Sequence, residues 1–180
     1  TGLPKNKVIG TGTFLDTARL RDMIATKMDI DPKSIHAYVV GEHGDSEVVL
    51  WSGADIGGKP IRDWSNWKSE YEREISENVR KAAYEIIKRK GATNHAIGLV
   101  TATLLKWILR NERRIVTVSV VQEGVFGLED VAISLPSLVS SEGVEEIIEI
   151  EMSKKEKEKF DHSVEVMRKA INEIRDYSMK

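Results

Sequence analysis

The chain has 180 residues, 41% of them hydrophobic and 31% charged, with a formal net charge of -2 and no cysteine. That is enough for one well-formed core, and the near-neutral charge argues against nucleic acid or an anionic membrane surface as a partner. The absence of cysteine excludes disulfides and zinc–thiolate sites and fits a reducing, cytoplasmic setting; no stretch is long and apolar enough to span a bilayer as a helix, and no signal peptide is visible.

The chain opens at Thr1 rather than at Met, in a loop-like stretch, Thr1-Gly2-Leu3-Pro4-Lys5-Asn6-Lys7, which reads as the start of a piece cut from a longer protein. Gly10-Thr11-Gly12-Thr13 then precedes a helix. Its glycines do not complete G-x-G-x-x-G, because position 15 is leucine, so it reads as a close backbone approach and not as a dinucleotide loop. The helix runs from about Asp16 to Lys27, with Leu20, Ile24 and Met28 on its apolar face. Asp31-Pro32 turns the chain into one strand over residues 34–40, and a loop centred on His43 follows. Val48 to Trp51 is a second strand, and the glycine-rich residues 52–60 read as a loop. The spacing of Ile75, Val79, Ala82 and Ile86 predicts a long amphipathic helix from about Trp64 to Lys90, stopped by Gly91. Residues 96–109 are apolar nearly all round, which predicts a central buried helix.

Residues 115–121 are β-branched and read as a strand. A further strand over residues 131–139 contains Pro136, which should break it or displace it to a sheet edge. A short strand covers residues 144–150. Ser153-Lys154-Lys155-Glu156 is a capping box opening a last helix, striped by Phe160, Val164, Met167, Ile171 and Ile174. Helices and short strands mix without a βαβ rhythm, so the expected fold is α+β with a largely antiparallel sheet, in one domain over residues 1–180.

Chemistry concentrates in two places. Gly41-Glu42-His43-Gly44-Asp45-Ser46-Glu47 sets a histidine between glycines, on a loop between strands. Such a histidine is held by the sheet, reaches a cleft, and titrates near neutrality. Asp16 and Arg19 lie three apart near the start of the first helix and share a face. An ordinary surface ion pair and a surface turn are the bland readings of these two features. Together they can do more. A carboxylate can hold an imidazole in one tautomer, an arginine can clamp a substrate carboxylate, and the histidine can move a proton. That set suits a 2-oxo or 2-hydroxy acid. No metal site is expected.

Three motifs in order, Asp16-Thr17-Ala18-Arg19, residues 41–47 and Lys90-Gly91-Ala92-Thr93, resemble the bacterial-type L-lactate dehydrogenases, as does the opening over residues 3–13. The resemblance runs through the whole chain but covers only about the second half of such an enzyme. It implies a catalytic, substrate-binding domain whose NAD-binding half, with its Rossmann fold and mobile loop, lies upstream. It implies that His43 is the proton donor and acceptor, Asp16 its carboxylate partner and Arg19 the clamp on pyruvate or lactate, with Thr93 beside the substrate. Thr11 and Ile97 would approach the nicotinamide end of NAD. Arg21 and His36 stand where allosteric members bind fructose 1,6-bisphosphate between subunits of a homotetramer. For Thr93 a helix N-cap, and for Ile97 plain core, are equally available readings. His95 and His162 receive no role. A malate or branched-chain 2-hydroxyacid dehydrogenase is the nearest alternative, although Glu42 looks more like the lactate enzymes. A hydrolase using an Asp16–His43 dyad and a non-catalytic interaction module are more distant ones.

Overall fold

The computed structural model describes residues 2–178, without the side chains of Lys90 and of residues 176–178. Helix α1 spans Phe14–Met28, with Asp16 in its first turn, where the helix dipole favours an acid. It stops at Asp29, whose left-handed backbone returns its N–H to Ala25. Leu20, Ile24 and Met28 are buried, so the predicted face is the face used. Strands β1 (Ile35–His36) and β2 (Val39–Val40) follow, then β3 (Val48–Val49), β4 (Asp55–Ile56) and β5 (Lys59–Pro60). Helices α2 (Ser69–Lys90) and α3 (His95–Leu109) lead to the main sheet of β6 (Arg114–Glu123), β7 (Glu129–Ser140) and β8 (Gly143–Ile147). Helix α4 (Lys154–Ser178) closes the chain.

Every strand pairing among the described residues is antiparallel, as expected: β1-β4-β5, β2-β3 and β6-β7-β8. Three apolar clusters support them. One packs α1 against β1, β2 and Ile75 and Val79 of α2. A second packs Phe160 and Val164 of α4 against β7. The third sets Leu104 of α3 on β6.

Five expectations are corrected. The single strand over residues 34–40 is two. It switches partner at Ala37-Tyr38, where Ile35–His36 leaves β4 and Val39–Val40 joins β3. The loop over residues 52–60 contains the β4–β5 hairpin, turned on Gly57-Gly58. Helix α2 begins at Ser69 and not at Trp64, because Trp67 is taken into an aromatic stack between Trp51 and Tyr71. Pro136 neither breaks β7 nor lies at an edge, since β7 is the central strand and Pro136 stands opposite Thr117. The Pro136 carbonyl accepts from Ile148 N at 2.8 Å. In an antiparallel strand the N and C=O of one residue point the same way. The missing N–H therefore faces the far end of β8, where the ladder stops, and the bonds to β6 are untouched. Lastly, α3 is not a buried central helix. Only Val100 and Leu104 are buried, while Leu99 is 71% and Leu109 83% exposed.

Candidate active site

Helix α1 and strand β2 are fixed to each other by hydroxyl groups. Thr13 Oγ1 donates to the Val39 carbonyl at 2.6 Å, and Val39 N donates to Thr17 Oγ1 at 3.0 Å. Thr17 and Thr117 hydroxyls lie 2.8 Å apart, Thr117 Oγ1 donates to the Thr13 carbonyl, and Thr13 N donates to Ser134 Oγ. All four hydroxyl residues are buried. Each buried hydroxyl would be costly without a partner, so the network fixes one relative placement of α1, β2, β6 and β7. Gly12 belongs to it. With φ at +47°, a Cβ there would overlap Ser134 Oγ and come within 3.0 Å of Ser119 N. The close approach expected at residues 10–13 is made to the sheet, at Ser119 and Ser134.

The His43 loop is anchored at both ends. Gly41 forms a bridge with Ser134 of β7, and Glu42 N donates to Ser163 Oγ of α4 at 2.8 Å. Gly41 has φ +95°, and a Cβ on it would meet Ser163 Oγ at 2.6 Å, so only glycine fits. Within the loop, Ser46 donates through both its backbone N and its hydroxyl to the Glu42 carboxylate.

Asp16 and His43 meet as a result. Asp16 Oδ2 lies 2.6 Å from His43 Nδ1, and Arg19 Nη1 donates to Asp16 Oδ1 at 3.1 Å. Asp16 is nearly closed off, whereas the His43 side chain is 53% exposed. The hydrogen bond to Asp16 raises the His43 pKa above its ordinary 6.5, against the opposing pull of burial and of Arg19. With Nδ1 engaged, Nε2 is the nitrogen available for proton transfer.

Asp16, Arg19 and His43 line a cavity of about 250 Å3, walled on the α2 side by Arg80, Tyr84 and Ile87. Glu47 also lines it. This residue is 5% exposed, its Oε1 has no hydrogen-bond partner, and burial pushes its carboxyl up to about 8. A larger cavity of about 560 Å3 adjoins on the α4 side and shares Glu47 and Arg80. Asp16, His43 and Glu47 come within 4.8 Å of one another. Yet two ligands on one zinc ion sit roughly 3.3 Å apart for bonds of about 2 Å, farther than the 2.6 Å between Asp16 and His43. At that spacing Asp16 Oδ2 and His43 Nδ1 share a hydrogen bond.

The other predicted residues fall outside this cavity. Thr11 is half-buried in the turn before α1, where its carbonyl accepts from Phe14 N. Thr93 is half-buried in the α2–α3 link, and the residue at the N-cap of α3 is Asn94. Ile97 is half-buried in the first turn of α3. Arg21 donates from Nε to the Ala37 carbonyl at 3.1 Å and stacks over Tyr38, and burial lowers its pKa. His36, next in sequence to Ala37, is exposed on β1 opposite Asp55. Sequence reasoning missed Glu47 and the α2 wall. The wall had a signal: Arg80, Ala83 and Ile87, which line it, recur at helical spacing, one residue on from Val79, Ala82 and Ile86 of the core stripe of α2.

A family model described as the lactate/malate dehydrogenase α/β C-terminal domain matches residues 13–177. An L-lactate dehydrogenase from Synechococcus sp. (strain JA-3-3Ab) is 45% identical over 175 residues, covering 97% of this chain and 57% of the relative. One from Fervidobacterium nodosum is 47% identical over 183 residues, with the same two coverages. Among solved structures, the ligands-bound form of a minor L-lactate dehydrogenase from Enterococcus mundtii is similar at a TM-score of 0.92 and 42% identity, over 96% of this chain and 56% of that one. A lactate dehydrogenase from a Medee basin deep-sea metagenome library gives a TM-score of 0.90 at 42% identity, over 95% and 56%. The chain thus spans little more than half the length of these relatives.

Proposed function

Because this chain belongs to the lactate/malate dehydrogenase family, as its α/β C-terminal domain, we propose that it is the substrate-binding half of an NAD-dependent L-lactate dehydrogenase interconverting pyruvate and lactate. The observation that carries the reading is the 2.6 Å contact between Asp16 and His43, with Arg19 opening on the same cavity. Asp16 holds the imidazole with Nε2 toward the substrate and stabilises its charged form. His43 Nε2 then gives its proton to the keto oxygen of pyruvate, and takes it back from the lactate hydroxyl in the reverse direction. Arg19 uses one nitrogen on Asp16 and keeps the rest of its planar fork for the substrate carboxylate. The raised His43 pKa keeps the donor loaded near neutrality, so reduction is favoured below that pKa and oxidation above it.

The glycines at residues 10–13 do not complete a dinucleotide loop. That turn packs on Ser119 and Ser134 of the sheet. A nicotinamide cofactor would be held mainly by a nucleotide-binding half upstream and would supply the hydride. This chain would offer it only an edge, with Thr11 polar and Ile97 apolar, and Thr93 beside the substrate. The exposed leucines of α3 suit packing against that half. The same reading gives the full enzyme a cytoplasmic, homotetrameric form in which Arg21 and His36 of facing subunits bind fructose 1,6-bisphosphate.

The test compares this chain with its fusion to an upstream nucleotide-binding half, in an assay of NADH oxidation with pyruvate. The chain alone should show no turnover and the fusion should turn over. In the fusion, His43→Ala should lower kcat by roughly two to four decades. A fusion that binds NADH but ignores pyruvate, or one indifferent to His43→Ala, would sink the reading.

A further inference from the structure

The proposed chemistry leaves one buried acid unused. Glu47 forms part of the wall between the two cavities, and its carboxylate lies within 4.8 Å of both Asp16 and His43. Its Oε1 is buried with no partner. A carboxyl group so placed is costly to keep, and a side chain of the same size without an acid would fill the wall as well. What an acid adds there is a charge that can be switched on beside the imidazole.

The groups around it set when that happens. From α1 come the anion Asp16 and the cation Arg19, and from α2 the cation Arg80 and the Tyr84 hydroxyl. Its own loop brings His43 and Asp45, of which Asp45 accepts from the Tyr84 hydroxyl at 3.3 Å. On the far side of the wall, α4 contributes Lys155, Glu158, Lys159 and His162. Burial and Asp16 oppose ionisation of Glu47, whereas Arg80, charged His43 and Arg19 favour it.

We propose that Glu47 is a positioning residue for the proton transfer at His43: a buried reserve carboxyl beside the imidazole that, on ionising, strengthens the hold of His43 on its proton. The inference rests on the proposed role of His43. A new negative charge within 4.8 Å favours the imidazolium over the neutral ring. The effect is mutual, so the two groups titrate as a pair. Ionisation of Glu47 around pH 8 would therefore extend the range over which His43 remains a proton donor. Glu47 needs no contact with substrate to do this.

The experiment follows the His43 Cε1–H resonance of the 180-residue chain by NMR from about pH 5 to pH 10, in wild type and in Glu47→Gln. The wild-type curve should be broader than a single ionisation. The variant should titrate in one step, with its midpoint lower by about half a pH unit or more, which is roughly a threefold weaker proton affinity. In the full-length enzyme, the upper limb of the pH profile for pyruvate reduction should move down with it, at little change in the pyruvate KM. A wild-type curve that fits one ionisation overturns the proposal, whether or not the variant folds; so does a variant midpoint that does not move. The readout needs no turnover. An unmoved His43 in an active enzyme removes only this proposal, whereas a moved His43 in an enzyme that ignores pyruvate removes the dehydrogenase reading and leaves the coupling.

Discussion

Replacing Gly12 by alanine should cost this chain far more than a single methyl group usually does. Gly12 holds φ +47°, a conformation that costs an L-residue about 1 kcal/mol. The new Cβ would overlap Ser134 Oγ, on a residue only 1% exposed, and press on Ser119 N. Overpacking of that kind costs roughly 1–3 kcal/mol. The Ser134 hydroxyl is also the acceptor for Thr13 N, and losing that buried bond adds about 1 kcal/mol. The sum is roughly 3–5 kcal/mol, a large share of the stability of an ordinary domain. Gly98 provides the control. It lies within α3, and nothing comes within 4 Å of a Cβ built there. The same change at Gly98 should stabilise by about 0.5–1 kcal/mol through helix propensity and the unfolded state. Urea unfolding of both variants, followed by circular dichroism, gives the comparison. A Gly12→Ala chain within about 0.5 kcal/mol of wild type would show that the contact of residues 10–13 with the sheet does not hold α1 in place.

Three further outcomes are expected. Glu156 accepts from the backbone and hydroxyl of both Ser52 and Ser153, and these bonds lower its pKa despite the opposing effect of burial. Glu156→Ala should therefore destabilise by roughly 2–4 kcal/mol at neutral pH. Because a depressed carboxyl stabilises only while ionised, the difference between wild type and variant should shrink as pH falls below about 4.5; a pH-independent difference in urea midpoints would contradict this. Changing both Leu99 and Leu109 to Gln should alter the stability of this chain by no more than about 0.5 kcal/mol per site, since both are exposed. In the full-length protein the same pair should weaken packing against the upstream half, and equal melting shifts in the two contexts would argue against α3 as that contact. In the proposed full-length dehydrogenase, Arg19→Lys should raise the pyruvate KM more than it lowers kcat, because an ammonium cannot give two parallel hydrogen bonds; an unchanged KM would remove Arg19 from the substrate.

The parts of the site that the sequence made legible are those with local spacing. Asp16 and Arg19 share a helix face three residues apart, and the glycines flanking His43 announce a loop that bends sharply. The capping box at Ser153 and Glu156 is local too, and it forms. What was hidden depends on residues distant in sequence. Thr17 reads as a spacer inside Asp16-Thr17-Ala18-Arg19, yet its hydroxyl joins β2 to Thr117, a hundred positions away. Glu47 reads as one more charge at the end of a polar loop, and only the packing of α1, α2 and α4 around it makes it buried. Helix α3 misled for a different reason. An apolar surface all round predicts that something covers it, but composition does not say whether the cover is in the same chain. Pro136 was read by a rule about ladder bonds, and which side of β7 its nitrogen faces depends on where β8 ends.

The tie between Glu42 and Ser163 bears on the order in which the site comes together. Arg19 and Asp16 are neighbours on one helical turn and can pair as soon as α1 forms. His43 is different. Its loop is anchored to β7 through Gly41 and to α4 through Glu42 and Ser46, across 121 residues from Glu42 to Ser163. Contacts so far apart in sequence cost loop-closure entropy before they are rewarded, and form late. As the chain leaves the ribosome, the carboxylate and the arginine are present early, and the histidine is locked opposite them only once helix α4 has docked. A nascent or C-terminally clipped chain would thus carry a formed Asp16–Arg19 pair and an unmoored proton carrier. Helix α4, far from the His43 loop in sequence, is the element that completes the site.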